Sequence, residues 1–381
     1  MIRSKLPNVG KSIFTVMTEM ANKYNAINLS QGFPDFNPSS ELINLVSKYM
    51  NEGHNQYAPT QGILRLREKI SAKTEELYGQ NYNPETEITI TAGATQAIFI
   101  AITTFVQEGD EVIIFEPAYD SYAPVIKENG GKPVYLSTKL PDYKIDWEEL
   151  NKMVNARTRM IIINSPHNPS GSLLTADGVE KLIKLVTGTK ILIVSDEVYE
   201  HIIFDDNKHE SLAKYPSLRN RSIIVSSFGK TYHATGWKIG YCIAPENVMA
   251  EIRKIHQFNV FSVNTPMQNA IADYIDNKEA YLNLSKFYQE RRDLFLSMLE
   301  GSGFKFTPTK GTYFQLLDYS EISHEKDVDF ANRLVSEYGI ATIPASAFYH
   351  DNFDAKVLRL CFAKSTETLE KATKILKTVK A

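Results

Sequence analysis

Several short stretches set reactive side chains directly after apolar, β-branched runs. The first is SSFGKTYHATGWKIG, Ser226–Gly240. It closes the run SIIVSS and brings Gly229, Lys230, a group of hydroxyls, Gly236 and a second lysine, Lys238. A lysine at the end of a buried strand is costly to desolvate, and persists there by shedding its charge or gaining a partner. An uncharged lysine amine attacks carbonyl groups and forms Schiff bases. The hydroxyls of Ser226 and Ser227 together with Lys238 offer a seat for an anion. The competing reading is a surface lysine in a Gly/Ser loop.

Four further stretches follow strands in the same way. TAGAT (Thr91–Thr95) joins a strand to a helix whose first N–H groups are unpaired and lie at the positive end of its dipole, an anion site. Gly93 and Ala94 leave room there and Thr95 adds a hydroxyl, although an ordinary tight turn has the same composition. The stretch is neither GxGxxG nor a Walker loop, which removes support for dinucleotide or ATP binding. EPAYDSY offers Tyr119, whose ring can cover a flat heterocycle or simply pack at a rim. SPHNPSG is a turn that presents the Asn168 amide. His167 has no partner His or Cys at ligand spacing, so no metal site is expected. SDEVYE puts Asp196 at the edge of a buried strand, where a carboxylate needs a cation or serves as a cap, and Tyr199 three residues on.

An imine-forming lysine beside an anion seat suggests pyridoxal phosphate, which carries an aldehyde and a phosphate on one ring. In that arrangement Asp196 keeps the pyridine nitrogen protonated, Asn168 and Tyr199 bond the phenolate oxygen, and Tyr119 covers a face. Ala94, Thr95, Ser227 and Lys238 take the phosphate, and Lys230 carries the aldehyde carbon.

These residues need a scaffold, and the chain supplies the material for one. Of 381 residues, 43% are apolar and 23% charged, a globular composition long enough for a large core. A net charge of −3, with both signs dispersed, leaves no footprint for nucleic acid or an anionic membrane surface. Two cysteines without a CxxC neighbour, Cys242 and Cys361, argue against a disulfide scaffold and suit a reducing cytoplasm. The N-terminal residues have no apolar stretch of signal-peptide length, and no window reaches about 18 apolar residues.

Strand-like runs at Glu87–Gly93, EVIIFEP, KPVYLST, RMIIINSP, ILIVSDEVY and SIIVSS alternate with helical patterns. That rhythm predicts an α/β fold with a mostly parallel central sheet and ligands at the carboxyl ends of its strands. A further strand is expected over Trp237–Pro245 and one long helix from about Asn277 to Leu299. The remainder, TYFQLLDY, VDFANRLVSEYG, VLRLCFA and TLEKATKILKTV, changes to α+β. The expected division is a large domain over 43–285 and a smaller α+β domain from 1–42 and 286–381.

Together the segments SQGFPDF, NQYAPTQG, TAGATQA, PHNPSG, SDEVYEH, SSFGKTYHATGWKIGYC and RLCFA carry a resemblance. In this order, from Gly32 to Arg359, the chain resembles class I aminotransferases of the fold-type I pyridoxal phosphate enzymes. Within the class its wording is nearest to methionine and kynurenine aminotransferases. The resemblance implies that Lys230 is the Schiff-base lysine and the base for the proton shift. It implies that Arg359 grips the substrate carboxylate, aided by the Gly32 backbone and the Asn168 side chain. Tyr57 would reach the phosphate of the neighbouring subunit's cofactor, making an active homodimer. Phe14 and Phe261 would line an apolar side-chain pocket, unless they are ordinary core residues. Lys238 stands where many class members carry arginine, which keeps the charge and loses the bidentate grip. The expected reaction is ping-pong transfer of the amino group of an L-amino acid to a 2-oxo acid, with methionine, aromatic amino acids or kynurenine favoured. A cysteine-conjugate β-lyase on the same scaffold is the alternative, and a non-enzymatic ligand-binding regulator a more distant one.

Overall fold

The computed structural model describes residues 4–7 and 9–380. Seven strands form the main sheet: β1 (Ile88–Thr91), β2 (Glu111–Glu116), β3 (Lys132–Ser137), β4 (Thr158–Asn164), β5 (Leu192–Asp196), β6 (Ser222–Ser227) and β7 (Gly240–Ile243). Their order is β1-β7-β6-β5-β4-β2-β3. The pairs from β6 through β3 are parallel, whereas β7 runs antiparallel to both of its neighbours. The mostly parallel α/β reading of the sequence is therefore correct.

Side chains alternate between the two faces of the sheet, as the pleat requires. On β4, Ile161 and Ile163 join one apolar core while Met160 and Ile162 join the other. On β2, Ile113 and Phe115 split from Val112 and Ile114 in the same way. Both faces are covered, which is why these strands read as unbroken apolar runs.

A second, antiparallel sheet has the order β9-β10-β8, with β8 (Phe314–Asp318), β9 (Ile343–Pro344) and β10 (Val357–Cys361). Its core draws Met17 and Ala21 from the helix Ile13–Tyr24 and Phe295, Phe330 and Leu369 from the C-terminal helices. A two-residue parallel ladder, Ile27–Asn28 on Ile340–Ala341, joins the two ends of the chain.

Two expected elements are shorter than the sequence implies. The strand anticipated over Trp237–Pro245 is confined to Gly240–Ile243, because Thr235–Trp237 form a 3-10 turn and Lys238 adopts a left-handed φ of 55°. The helix anticipated over Asn277–Leu299 is two helices, Glu279–Leu282 and Leu284–Leu299, parted at Asn283. Asparagine is a weak helix former, and the Asn283 side-chain amide bonds the Glu279 carboxylate one turn back. Asp146 does cap its helix, accepting from the Glu149 N–H.

Among the described residues no helix is long and apolar enough to cross a membrane. Gly240 marks where the sheet tolerates no side chain: a Cβ there would lie 2.7 Å from the Ser226 carbonyl and 2.9 Å from the Ala94 nitrogen. Gly240→Ala is expected to cost about 1–3 kcal/mol of stability by overpacking, read as a lower urea midpoint at unchanged slope.

Candidate active site

The carboxyl ends of β4, β5 and β6 lie side by side, with Asn164 opposite Asp196 and Asp196 opposite Val225. Parallel register therefore delivers the Asn164–Asn168, Asp196–Tyr199 and Ser227–Lys230 segments to one edge. They open into a cavity of about 320 Å³. Every site residue predicted from the sequence lines it except Tyr57 and Phe261.

Lys230 sits in the short helix Phe228–Thr231 that follows β6. Its amine donates to the Gly32 carbonyl at 3.0 Å and to the Tyr313 hydroxyl at 2.8 Å. Tyr313 in turn donates to the same carbonyl at 2.5 Å. Burial lowers the Lys230 pKa to about 8, so about a tenth of the amine is uncharged at pH 7.

Asp196, 4% exposed, ends β5. Tyr122 donates to its Oδ2 at 2.5 Å, and the Val198 N–H to Oδ1 at 3.4 Å. Burial raises its pKa from 3.8 to about 6, with the Tyr122 hydrogen bond acting against the rise. Tyr199 is buried at the wall, and burial raises its pKa as well.

The Thr91–Thr95 turn leads directly from β1 into a helix. The helix Gly93–Phe105 starts with Gly93 at a φ of 76°, a value suited to glycine. A Cβ at Gly93 would stand 3.3 Å from the Lys238 amine, so the missing side chain keeps the space before the helix start open. Ala94, Thr95 and Ser227 border the same space. Tyr119 borders the cavity as well.

On the opposite wall Arg359, fully enclosed on β10, donates through Nη1 to Asn168 Oδ1 at 2.9 Å and through Nη2 to the Ser30 carbonyl at 2.8 Å. Its guanidinium lies 3.9 Å from the Phe314 ring centroid and 5.2 Å from that of Phe14. The buried Nε has no partner. Burial lowers its pKa to about 10, which leaves it charged at neutral pH.

Tyr57 and Phe261 lie elsewhere. They are 81% and 52% exposed and meet edge-on at 5.2 Å, outside this cavity. Phe261 follows the helix Glu246–Asn259, and its left-handed φ of 67° turns the chain there. Within one chain, Phe261 therefore does not border this cavity, whereas Phe14 does.

Three contributors escaped the sequence reading. Tyr122 holds Asp196, Tyr313 holds Lys230, and Asn164 links its neighbours by donating to the Asp196 carbonyl at 2.9 Å and accepting from the Asn168 N–H at 2.7 Å. Asn164 and Tyr122 fall in stretches already singled out, but nothing in their spacing separates them from packing residues. Tyr313 lies in the run TYFQLLDY, far from the other site residues. Among the described residues no group of three or more His, Cys, Asp or Glu is placed to hold a metal ion.

This convergence at the carboxyl edge of a parallel sheet has the architecture of enzymes that move amino groups between small carboxylates. The family described as aminotransferase class I and II matches residues 24–376. A methionine aminotransferase of Escherichia coli (strain K12) is 47% identical over 376 residues, 98% of this chain and 97% of the relative. A kynurenine–oxoglutarate transaminase of Dictyostelium discoideum is 35% identical, covering 95% of this chain and 93% of its own length. A solved Escherichia coli structure, whose reactivity identified a methionine aminotransferase function, superposes with a TM-score of 0.97 at 47% identity, covering 99% of both chains. The chain belongs to the class I and II aminotransferase family. It is a transaminase, passing the amino group of an L-amino acid to a 2-oxo acid.

The family depends on pyridoxal phosphate, and the residues present fit that group. The open turn at Gly93 faced by the Lys238 amine suits a phosphate, and the buried Lys230 amine suits an aldehyde. Asp196 makes no ion pair among the described residues and so has an acceptor free for a ring N–H⁺.

The raised Asp196 pKa has a consequence for the cofactor-free protein. Between about pH 4 and pH 6 the folded chain binds a proton that the unfolded chain has released, so stability falls as pH rises through that window. Asp196→Asn removes the titration. Its melting temperature, measured without cofactor, should gain on wild type as pH rises from 4 to 6 and hold a constant lead above that.

Proposed function

We propose that this enzyme uses pyridoxal phosphate, bound through Lys230, to transaminate methionine and other L-amino acids with large apolar or aromatic side chains. One observation carries this reading: buried Asp196 and half-buried Lys230 border one cavity and each feels the charge of the other. When bound, the cofactor supplies a carbonyl for the substrate amine and a ring that withdraws electrons from the substrate Cα.

The chain's residues then have distinct tasks. Asp196, held by Tyr122, keeps the ring nitrogen protonated. Asn168 and Tyr199 hold the phenolate oxygen, and Tyr119 covers one face. Gly93, Ala94, Thr95, Ser227 and Lys238 hold the phosphate. Arg359, with Asn168 and the Gly32 backbone, orients the substrate carboxylate by a paired guanidinium contact. Lys230, once free, takes the proton from the substrate Cα, a task suited to an amine whose pKa lies near the working pH.

The substrate preference rests on Phe14 beside Arg359 and on the full-length likeness to a methionine aminotransferase. We further propose a homodimer in which the exposed pair Tyr57 and Phe261 completes the partner's cavity, Tyr57 at the phosphate and Phe261 at the side-chain pocket. Residues 43–285 would form the large domain, and 1–42 with 286–381 the smaller one, a division supported by the core shared between the chain ends. The two buried free cysteines suit a cytoplasmic enzyme. The β-lyase alternative finds no support in the relatives named above.

Methionine and aspartate assayed against the same 2-oxo acid test the preference. Methionine should give the higher kcat/KM by at least about tenfold, since side-chain discrimination in an apolar pocket is worth about 1–3 kcal/mol. Faster aspartate turnover overturns it. Lys230→Ala should lower transamination by at least about a thousandfold and abolish the visible absorbance of the bound cofactor. The shared site is tested by sedimentation: wild type should run as a dimer, and Tyr57→Phe should remain dimeric with weakened cofactor retention.

A further inference from the structure

A second cavity, larger than the catalytic one, opens in the same chain. Its volume of about 690 Å³ is more than twice that of the Lys230 cavity beside it. That volume falls in the range of sites for small organic ligands, about 300–1,000 Å³. One wall comes from the segments after β3 and β4, including Tyr143, Trp147 and His167. The facing wall comes from residues 305–310 and from β8 and β10. Its floor is apolar and includes Phe115, Ile163 and Leu174.

The rim carries Lys144, Lys181, Lys305 and Lys310 among the carboxylates of Asp142, Asp177 and Asp318. Three of the lysines pair with exposed carboxylates: Lys144 with Asp142, Lys181 with Asp177 and Lys305 with Glu321. Exposed pairs of this kind are weak and exchange partners readily. Lys310 feels the charges of Asp142 and Asp205, but those carboxylates are taken by Lys144 and Arg292. Among the described residues no carboxylate pairs with the Lys310 ammonium, and such a group on a cavity walled by Tyr143 and Trp147 suits a flat ligand with a negative group.

The partition between the two cavities is made of residues already tied to catalysis. Asn164 borders both, and its amide holds the Asp196 carbonyl and the Asn168 N–H. The Tyr122 ring lines the larger cavity while its hydroxyl donates to Asp196. An occupant of the larger cavity would press on the groups that hold the catalytic carboxylate, and would bridge two segments far apart in the chain.

We propose that this second cavity is an effector site for a small aromatic anion, coupled to the catalytic cavity through Tyr122 and Asn164. The inference stands on the cavity itself and does not depend on which amino acid the enzyme prefers.

The probe is 8-anilinonaphthalene-1-sulfonate, titrated into the holoenzyme and followed by its fluorescence. The expected result is saturable binding of one probe per chain that persists with saturating 2-oxo acid and lowers kcat with little change in KM. Lys310→Glu and Thr307→Trp alter exposed residues of the cavity wall and leave the catalytic residues untouched. Each should weaken probe binding by about tenfold, the first by charge reversal and the second by filling space, with turnover in the absence of probe retained. Absence of binding, displacement of the probe by 2-oxo acid, or unchanged affinity in both variants overturns the site. Bound probe with unaltered kcat overturns the coupling.

Discussion

An amine and a carboxylate share one desolvated cavity without forming an ion pair, and the rest of the site is built around keeping them apart. Burial pushes both toward neutrality, Lys230 down to about 8 and Asp196 up to about 6. Direct contact would relieve much of that cost. Instead each is held by a neutral hydroxyl, Lys230 by Tyr313 and Asp196 by Tyr122. The structure thereby retains a reactive amine on one side and an unmatched carboxylate on the other. A transaminase needs both, one to exchange bonds with amines and one to favour positive charge across the cavity.

Holding that arrangement requires parts of the chain that are distant in sequence. A continuous path of hydrogen bonds runs from Arg359 to Asn168, from Asn168 to Asn164 and from Asn164 to Asp196. It begins on the small antiparallel sheet and ends on the large parallel one. The segment around Gly32 closes the opposite side: its carbonyl accepts from Lys230 and Tyr313, while the Ser30 carbonyl accepts from Arg359. Further along this segment, Lys364 donates to the Phe33 carbonyl and Asp35 accepts from Ser365 and Thr368. Polar groups linked in this way favour one geometry, since a displaced member of the buried part leaves its neighbours unpaired.

The two cavities divide the work of recognition differently. The smaller is enclosed by groups with fixed directions: the Arg359 fork, the helix start at Gly93 and the Lys230 amine. The larger has an apolar floor and exposed lysines at its rim, a surface that accepts shape and charge with less directional demand. Tyr122 links the two, lining the larger cavity while its hydroxyl bonds Asp196 at the wall of the smaller.

The sequence alone determined the α/β class, the mostly parallel sheet and the stretches around Gly93, Asn168, Asp196 and Lys230 that meet at one cavity. The physical reason is that parallel strands must be buried on both faces and must end together, so residues just after apolar β-branched runs are delivered to one edge. Arg359 and Gly32 came from the family resemblance, because no local pattern ties a residue on a late antiparallel strand to an early loop. Tertiary structure alone decided what the hydroxyls do. Tyr122, Tyr313 and Asn164 have the composition of packing residues, and only the register of β4 on β5 and the docking of β8 give them acceptors. It also decided that Tyr57 and Phe261 face outward, since a left-handed turn after a helix is set by what the chain packs against. Periodicity reports which face of an element is buried; the partner a buried polar atom finds depends on the other elements brought to it.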